Sequence, residues 1–176
     1  YLSLPNGFGY TMTDMMLDSK GRIATVGRSE TFDDDYIWTV IRYNENGELD
    51  STFANGGVLT ETLGGLSIPS VVLEQSDGKL LVLGKGAVND NPALRIIRYT
   101  PDGARDTGYG VNGEITIECP TTSFSAPIAT MQSDDKPLLT TRCQSSITSV
   151  WRLTTTGALD TTFSEDGMVQ ITQENP

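Results

Sequence analysis

Residues 42–57, RYNENGELDSTFANGG, return as residues 98–113, RYTPDGARDTGYGVNG, and again as residues 152–167, RLTTTGALDTTFSEDG. Each copy keeps an arginine at its head (Arg42, Arg98, Arg152) and a turn glycine (Gly47, Gly103, Gly157). Each then keeps an aspartate (Asp50, Asp106, Asp160), an aromatic ring (Phe53, Tyr109, Phe163) and a closing glycine (Gly57, Gly113, Gly167). Upstream stands a further marker: Gly21 and Gly78 are 57 apart, and Asp135 follows after another 57. The turn glycines are 56 and 54 apart. Markers in register three times define a repeat of about 56 residues, the mark of an array built from one supersecondary unit.

Within each repeat the pattern predicts four short strands separated by turn residues. The first strands are Asp14–Leu17, Val71–Glu74 and Ile128–Met131; the second are Ile23–Gly27, Leu80–Gly84 and Leu138–Thr141. A longer loop leads to Ile37–Tyr43, Leu94–Tyr99 and Ser149–Leu153, and the unit closes with Val58–Thr62, Glu114–Glu118 and Met168–Thr172. Glycine in the first hairpin supplies positive φ, which Asp135 tolerates less well. Along Ile37–Tyr43, Trp38, Val40 and Arg42 point to one face and Ile37, Thr39, Ile41 and Tyr43 to the other, so both faces are largely apolar. Leu80-Leu81-Val82-Leu83 is apolar throughout. Strands covered on both faces read this way, and four-stranded sheets packed between like sheets are the blades of a β-propeller. The expected fold is all-β: three four-stranded antiparallel blades of a propeller-like array, an open arc or one closed through oligomerisation. Residues 1–9 hold the fourth strand of a preceding unit (Tyr1–Leu4) plus a linker; blades occupy 10–65, 66–120 and 121–176.

Composition excludes several function classes. The 176 residues carry 12 basic and 23 acidic side chains, a net charge of −11, and no histidine. Nucleic acid and anionic membranes need cationic patches, and histidine-dependent hydrolysis or zinc ligation needs the imidazole. No apolar run approaches the roughly 20 residues of a membrane span, so membrane insertion is not expected. Threonine occurs 23 times and glycine 18 times, a balance that favours strands and turns. The acidic, Thr-rich chain fits a secreted or cell-surface bacterial protein.

The stretches IRYNENGELDSTFANGGV, IIRYTPDGARDTGYGVNGEI and WRLTTTGALDTTFSEDGMV resemble the delta-sixty repeat, and the resemblance runs over essentially the whole chain. It implies propeller-like blades in large secreted or surface-exposed proteins and is silent about activity. The third repeat departs from the pattern: Asp134-Asp135 stands at the first turn, followed by Pro137, and Leu153 replaces the tyrosine of the others. Its first hairpin is therefore expected to be the least regular.

Candidate binding residues lie in the loops between second and third strands. Asp33-Asp34-Asp35 beside Tyr36 suits calcium or a sugar, since clustered carboxylates suit hard cations; a solvated acidic loop tip is the preferred reading. Asn89, Asp90 and Asn91 in the next repeat are similarly rich in oxygen ligands. No cofactor is required, with calcium the one ion such loops suggest. Asp50, Asp106 and Asp160 are expected to cap their own turns, with Arg42, Arg98 and Arg152 bracing them and Phe53, Tyr109 and Phe163 plugging the blade base. A repeat spreads these residues over three units, so a converging catalytic set is not expected. Trp38 and Trp151 read as core. Phe8, Tyr10 and Phe124 read as packing between blades or as an aromatic rim. Strand directions put Cys119 and Cys143 on one rim of adjacent blades, which leaves either a disulfide or two thiols open. The function expected is a non-enzymatic binding or adhesion module whose rim loops contact a glycan or protein partner. A structural spacer is the alternative, and part of a calcium-dependent propeller enzyme a third reading. Blade faces left open at the ends would take further repeats of a parent chain or a homo-oligomer.

Overall fold

The computed structural model describes residues 9–30, 36–64, 67–89, 91–119, 125–144 and 147–172. Twelve strands form three four-stranded antiparallel sheets, each ordered as its strands run in the chain, and no helix occurs among the described residues. Unit 1 contains β1 (Tyr10–Leu17), β2 (Ile23–Glu30), β3 (Tyr36–Tyr43) and β4 (Val58–Thr62). Unit 2 contains β5 (Ile68–Glu74), β6 (Leu80–Val88), β7 (Asn91–Tyr99) and β8 (Glu114–Glu118). Unit 3 contains β9 (Ile128–Met131), β10 (Pro137–Gln144), β11 (Ile147–Arg152) and β12 (Met168–Thr172). The expected preceding strand at Tyr1–Leu4 lies outside the described residues.

The units stack face to face. Ala24, Val26, Trp38 and Val40 of unit 1 pack on Val72, Val82, Ile97 and Tyr99 of unit 2. The opposite face of unit 2, with Leu81, Leu83, Leu94 and Ile96, packs on Leu139, Trp151 and Leu153 of unit 3. The middle sheet is thus covered on both sides, and this is why Leu80–Leu83 carries no polar residue. Each such side chain, withdrawn fully from water, contributes about 1.5–3 kcal/mol. Trp38 and Trp151 both fall in these cores.

The two seams differ in chemistry. At the first, the Tyr99 hydroxyl donates to Glu61 Oε2 at 2.6 Å, and Arg105 Nη2 sits 2.7 Å from Glu61 Oε1. At the second, the equivalent positions are apolar (Leu153, Ile117, Leu159), and Cys119 and Cys143 form a disulfide across it.

Three expectations need correction. The second and third strands run further toward the rim than their apolar cores suggested. Val88 pairs with Asn91, so Asn91 and Tyr36 are strand residues, and only residues 89 and 90 connect β6 to β7. Antiparallel pairing carries polar residues such as Arg28 and Ser29 along once the hairpin is in register. The first hairpin of unit 3 is not irregular: Asp135 takes φ +61° and donates to Gln132 O, as Gly21 does to Asp18 O and Gly78 to Gln75 O. Tyr10 begins β1, and its ring neither packs between units nor forms an aromatic rim surface: it lies with Ile41 and Val58 on the outer face of unit 1. Phe8 and Phe124 lie outside the described residues.

The irregularity of unit 3 sits at the start of β9. β1 and β5 each carry a bulge, at Thr13 and Ser70, opposite Gly27 and Gly84. A Cβ on Gly27 would lie 2.2 Å from Thr11 O, and one on Gly84 2.2 Å from Ile68 O, so the bulges need glycine across the ladder. Unit 3 has Thr141 at this place. Its hydroxyl donates to Ser125 O at 2.7 Å, and pairing of β9 stops at Ile128. Gly84→Ala is therefore expected to destabilise by about 2–3 kcal/mol through overpacking. Gly21→Ala, at φ +76° with nothing within 4 Å, should cost about 1 kcal/mol from backbone strain alone. Urea denaturation of both variants checks the order.

Candidate functional site

Two features recur with the repeat and shape what the surface offers. The first is the clamp that joins one unit to the next. Arg42 Nε donates to Asp50 Oδ2 at 2.8 Å, and its guanidinium lies 4.4 Å from the centre of the Phe53 ring. Asp50 Oδ1 accepts from the Thr52 N–H and hydroxyl at 3.0 and 2.6 Å. Arg42 Nη1 then reaches into unit 2 and donates to Pro101 O at 2.6 Å, while the Ala54 N–H donates to Asp102 O at 2.7 Å. Unit 2 repeats this on unit 3: Arg98 lies over Tyr109 at 4.3 Å and donates through Nη1 to Thr155 O at 2.6 Å, and the Gly110 N–H donates to Thr156 O at 3.2 Å. Arg98 Nε stands 2.9 Å from Asp106 Oδ2, and Asp106 Oδ1 accepts from the Gly108 N–H at 3.1 Å. In unit 3, Arg152 Nε donates to Asp160 Oδ2 at 2.8 Å and stacks over Phe163 at 4.9 Å.

Each aspartate meets a second cation that the sequence reading passed over. Arg22 Nη1 lies 3.5 Å from Asp50, Lys79 Nζ 3.4 Å from Asp106, and Lys136 Nζ 3.1 Å from Asp160. These cations follow the first hairpin turn and recur at steps of 57 residues; that spacing was the signal. Burial alone would raise the Asp50 carboxyl, but the Thr52 hydrogen bonds and the Arg42 guanidinium hold it below its ordinary value. Asp106 balances burial against the Gly108 N–H and Arg98 with the same result. Asp160 is lowered first by the Thr162 hydroxyl, with burial opposing and Lys136 assisting. The Asp50 and Asp160 carboxylates are hydrogen-bonded within their own units, whereas in unit 2 Arg98 Nε and Asp106 Oδ2 meet as an ion pair without a hydrogen bond among the described residues, and the arrangement does structural work.

The second feature is a groove of 390 Å³ lined by Thr13, Ile68, Ser70, Lys85, Ala126 and Pro127. Thr13, Ser70 and Pro127 hold the same place in three successive units, each 57 residues from the last. The bulges of β1 and β5 turn the first two toward a common hollow at the rim where second strands end and first strands begin. Thr13 Oγ1 lies 2.7 Å from Pro69 O, which ties the floor of the groove to the neighbouring unit. The lining mixes hydroxyls, an ammonium and apolar carbon. The sequence reading missed this groove; the signal was a glycine inside each of β2 and β6, which marks a bulge in the partner strand.

The candidate rim residues are placed as follows. Tyr36 is half-buried beneath the Arg28 guanidinium, 4.0 Å from its ring centre, on unit 1. Asn89 and Asn91 are exposed on unit 2, Asn89 in the left-handed conformation of a hairpin tip at φ +50°. Asp33, Asp34, Asp35 and Asp90 lie outside the described residues. Among the described residues, no group of three or more Cys, Asp or Glu side chains is placed to hold a metal ion.

Comparison with known families agrees with this geometry. Residues 21–53 and 75–109 match the model of a family described as "Domain of unknown function (DUF5122) beta-propeller". Both matches run from the first hairpin to the clamp aromatic, Phe53 or Tyr109, the span that carries the recurring contacts. The match supports a β-propeller-like repeat family. No curated protein matches the chain.

The Tyr109 hydroxyl is buried without a hydrogen-bond partner among the described residues, and burial pushes its ionisation well above the ordinary range. Phe stands at the same place in units 1 and 3, and an unsatisfied buried hydroxyl costs about 1–3 kcal/mol. Tyr109→Phe is expected to raise stability by about 1 kcal/mol, read as a higher urea midpoint. The lowered clamp carboxyls also set a pH dependence. A group lowered by folding stabilises the fold above its unfolded value, here 3.8, and that contribution is lost as acid protonates it. The urea midpoint should hold between about pH 7 and 5 and fall below about pH 4.

Proposed function

We propose that the chain is a non-enzymatic binding module of a secreted or cell-surface bacterial protein, built on repeats of the delta-sixty type. Its rim contacts a glycan or protein partner. The observation that carries this reading is the groove in which equivalent positions of three units meet, Thr13, Ser70 and Pro127. A repeated scaffold supplies rigidity, and its rim supplies variation, the usual division between framework and binding residues. Hydroxyls beside apolar carbon and one ammonium suit the mixed polar and apolar faces of a sugar or a short peptide. The net charge of −11 weighs against nucleic acid as the partner.

A second reading, a structural spacer, draws on the clamp. The strongest repeated contacts serve stacking, and the same contacts recur at both seams.

The labelled chain applied to a glycan array and to intact bacterial and eukaryotic cells separates the two. The binding module is expected to bind at least one surface, and Ser70→Trp, which fills the groove, should weaken that binding about tenfold or more with an unchanged urea midpoint. Absence of binding on the array and on both cell types would favour the spacer.

A further inference from the structure

The clamp has two halves, and each end of the described array shows one of them. In unit 3 the platform half is bare. Arg152 Nε and Nη2 are engaged with Asp160 and Thr162, but among the described residues nothing accepts from Nη1. The Ser164 N–H, equivalent to those of Ala54 and Gly110, likewise has no acceptor there, although Ser164 takes the matching left-handed conformation at φ +55°. The Arg152 side chain is 19% exposed, against 1% for Arg42 and 8% for Arg98.

In unit 1 the turn half is bare. Gly103 and Gly157 are buried against Phe53 and Tyr109 of the preceding unit; a Cβ on either would come within 3.0 Å of the ring. Gly47 holds the same turn at φ +81°, is exposed, and has nothing within 4 Å of where its Cβ would lie. Among the described residues, no donor reaches the Glu45 and Asn46 carbonyls, which correspond to Pro101/Asp102 and Thr155/Thr156.

The sheet faces behind these halves are apolar. On unit 3, Ile128 and Ile171 are 71% and 57% exposed beside half-buried Val150, whose equivalents Val40 and Ile96 are fully covered. On unit 1, Met15 and Leu17 are 55% and 68% exposed.

We infer that copies of this chain associate head to tail, the 44–48 turn of one copy seating on Arg152, Phe163 and the Ser164 N–H of the next. What covers such a platform is shown twice inside the molecule: an x-Gly turn that offers two successive carbonyls. Among the described residues, unit 1 presents one such turn uncovered. The contact is heterologous, so it propagates from copy to copy as an open chain or closes as a ring. It is weaker than the internal seams. Ser19 and Ser76 also donate to Glu74 and Asp135 of the next unit, whereas Leu17 and Gly21 stand at those places in unit 1. Association is therefore concentration-dependent. This inference is independent of what the rim binds.

Sedimentation equilibrium of the full chain over a broad concentration range, with two variants, tests it. Gly47→Asn keeps the left-handed turn, which Asn accepts, but puts a side chain where the ring must lie. Val150→Lys puts a charge on the unit 3 face. The parent chain should form dimers and larger species, and each variant alone should lose at least about tenfold in association. An equimolar mixture of the variants retains one sound contact, the turn of Val150→Lys on the platform of Gly47→Asn, and should give a dimer and nothing larger. Dimer recovery also shows that both variants are folded. A parent chain that stays monomeric, a variant that still assembles alone, or a mixture that stays monomeric would overturn the proposal.

Discussion

Between successive units, an arginine lies flat on an aromatic ring and donates to a carbonyl in the next unit's turn. Everything larger in the molecule depends on this contact. The turn can lie against the ring only if no side chain projects from its fourth residue, which fixes glycine at positions 103 and 157. The guanidinium can be buried only if its charge is met, which fixes Asp50 and Asp106 and, through them, a second cation from the first hairpin. A charge pair withdrawn from water is weakly stabilising by itself. Its value here is register: a planar fork with defined acceptors admits one placement of the neighbouring sheet, whereas apolar faces alone would slide.

Much of this was legible in the sequence because its causes are local or periodic. Turn glycines, the aspartate and the aromatic recur in fixed order, and the closing strands at Val58–Thr62, Glu114–Glu118 and Met168–Thr172 coincide with those expected. That both faces of β3 are covered followed from its apolar residues on either side. What escaped notice depends on partners distant in sequence. The second and third strands extend through Arg28, Ser29 and Lys85, which lack apolar character and are held by ladder pairing alone. The bulges at Thr13 and Ser70 arise from what stands across the ladder. The reach of Arg42 to Pro101, 59 residues away, is visible only once two sheets are stacked.

The groove at the rim shows how a repeat acquires individuality. The same bulged position carries Thr, Ser and Pro in the three units, and Thr141 in place of glycine removes the bulge from the third. The scaffold is unaffected, because these changes lie at the strand ends, away from the clamp. Variation placed there alters the lining of the hollow without disturbing how the sheets stack, and the residues that define the repeat leave the groove chemistry open.

The Cys119–Cys143 bond spans only the second seam, so the array is not mechanically uniform. A disulfide ties units 2 and 3 in addition to the chain that joins them, whereas among the described residues unit 1 packs on unit 2 through noncovalent contacts. Tension or heat therefore meets a preferred parting line at the seam between units 1 and 2. Opening there uncovers the apolar face of unit 2, with Val72, Val82, Ile97 and Tyr99, and leaves the tied pair intact. The protein is in this sense a hinged plate on a welded block, and an oxidising environment sets which part is the block.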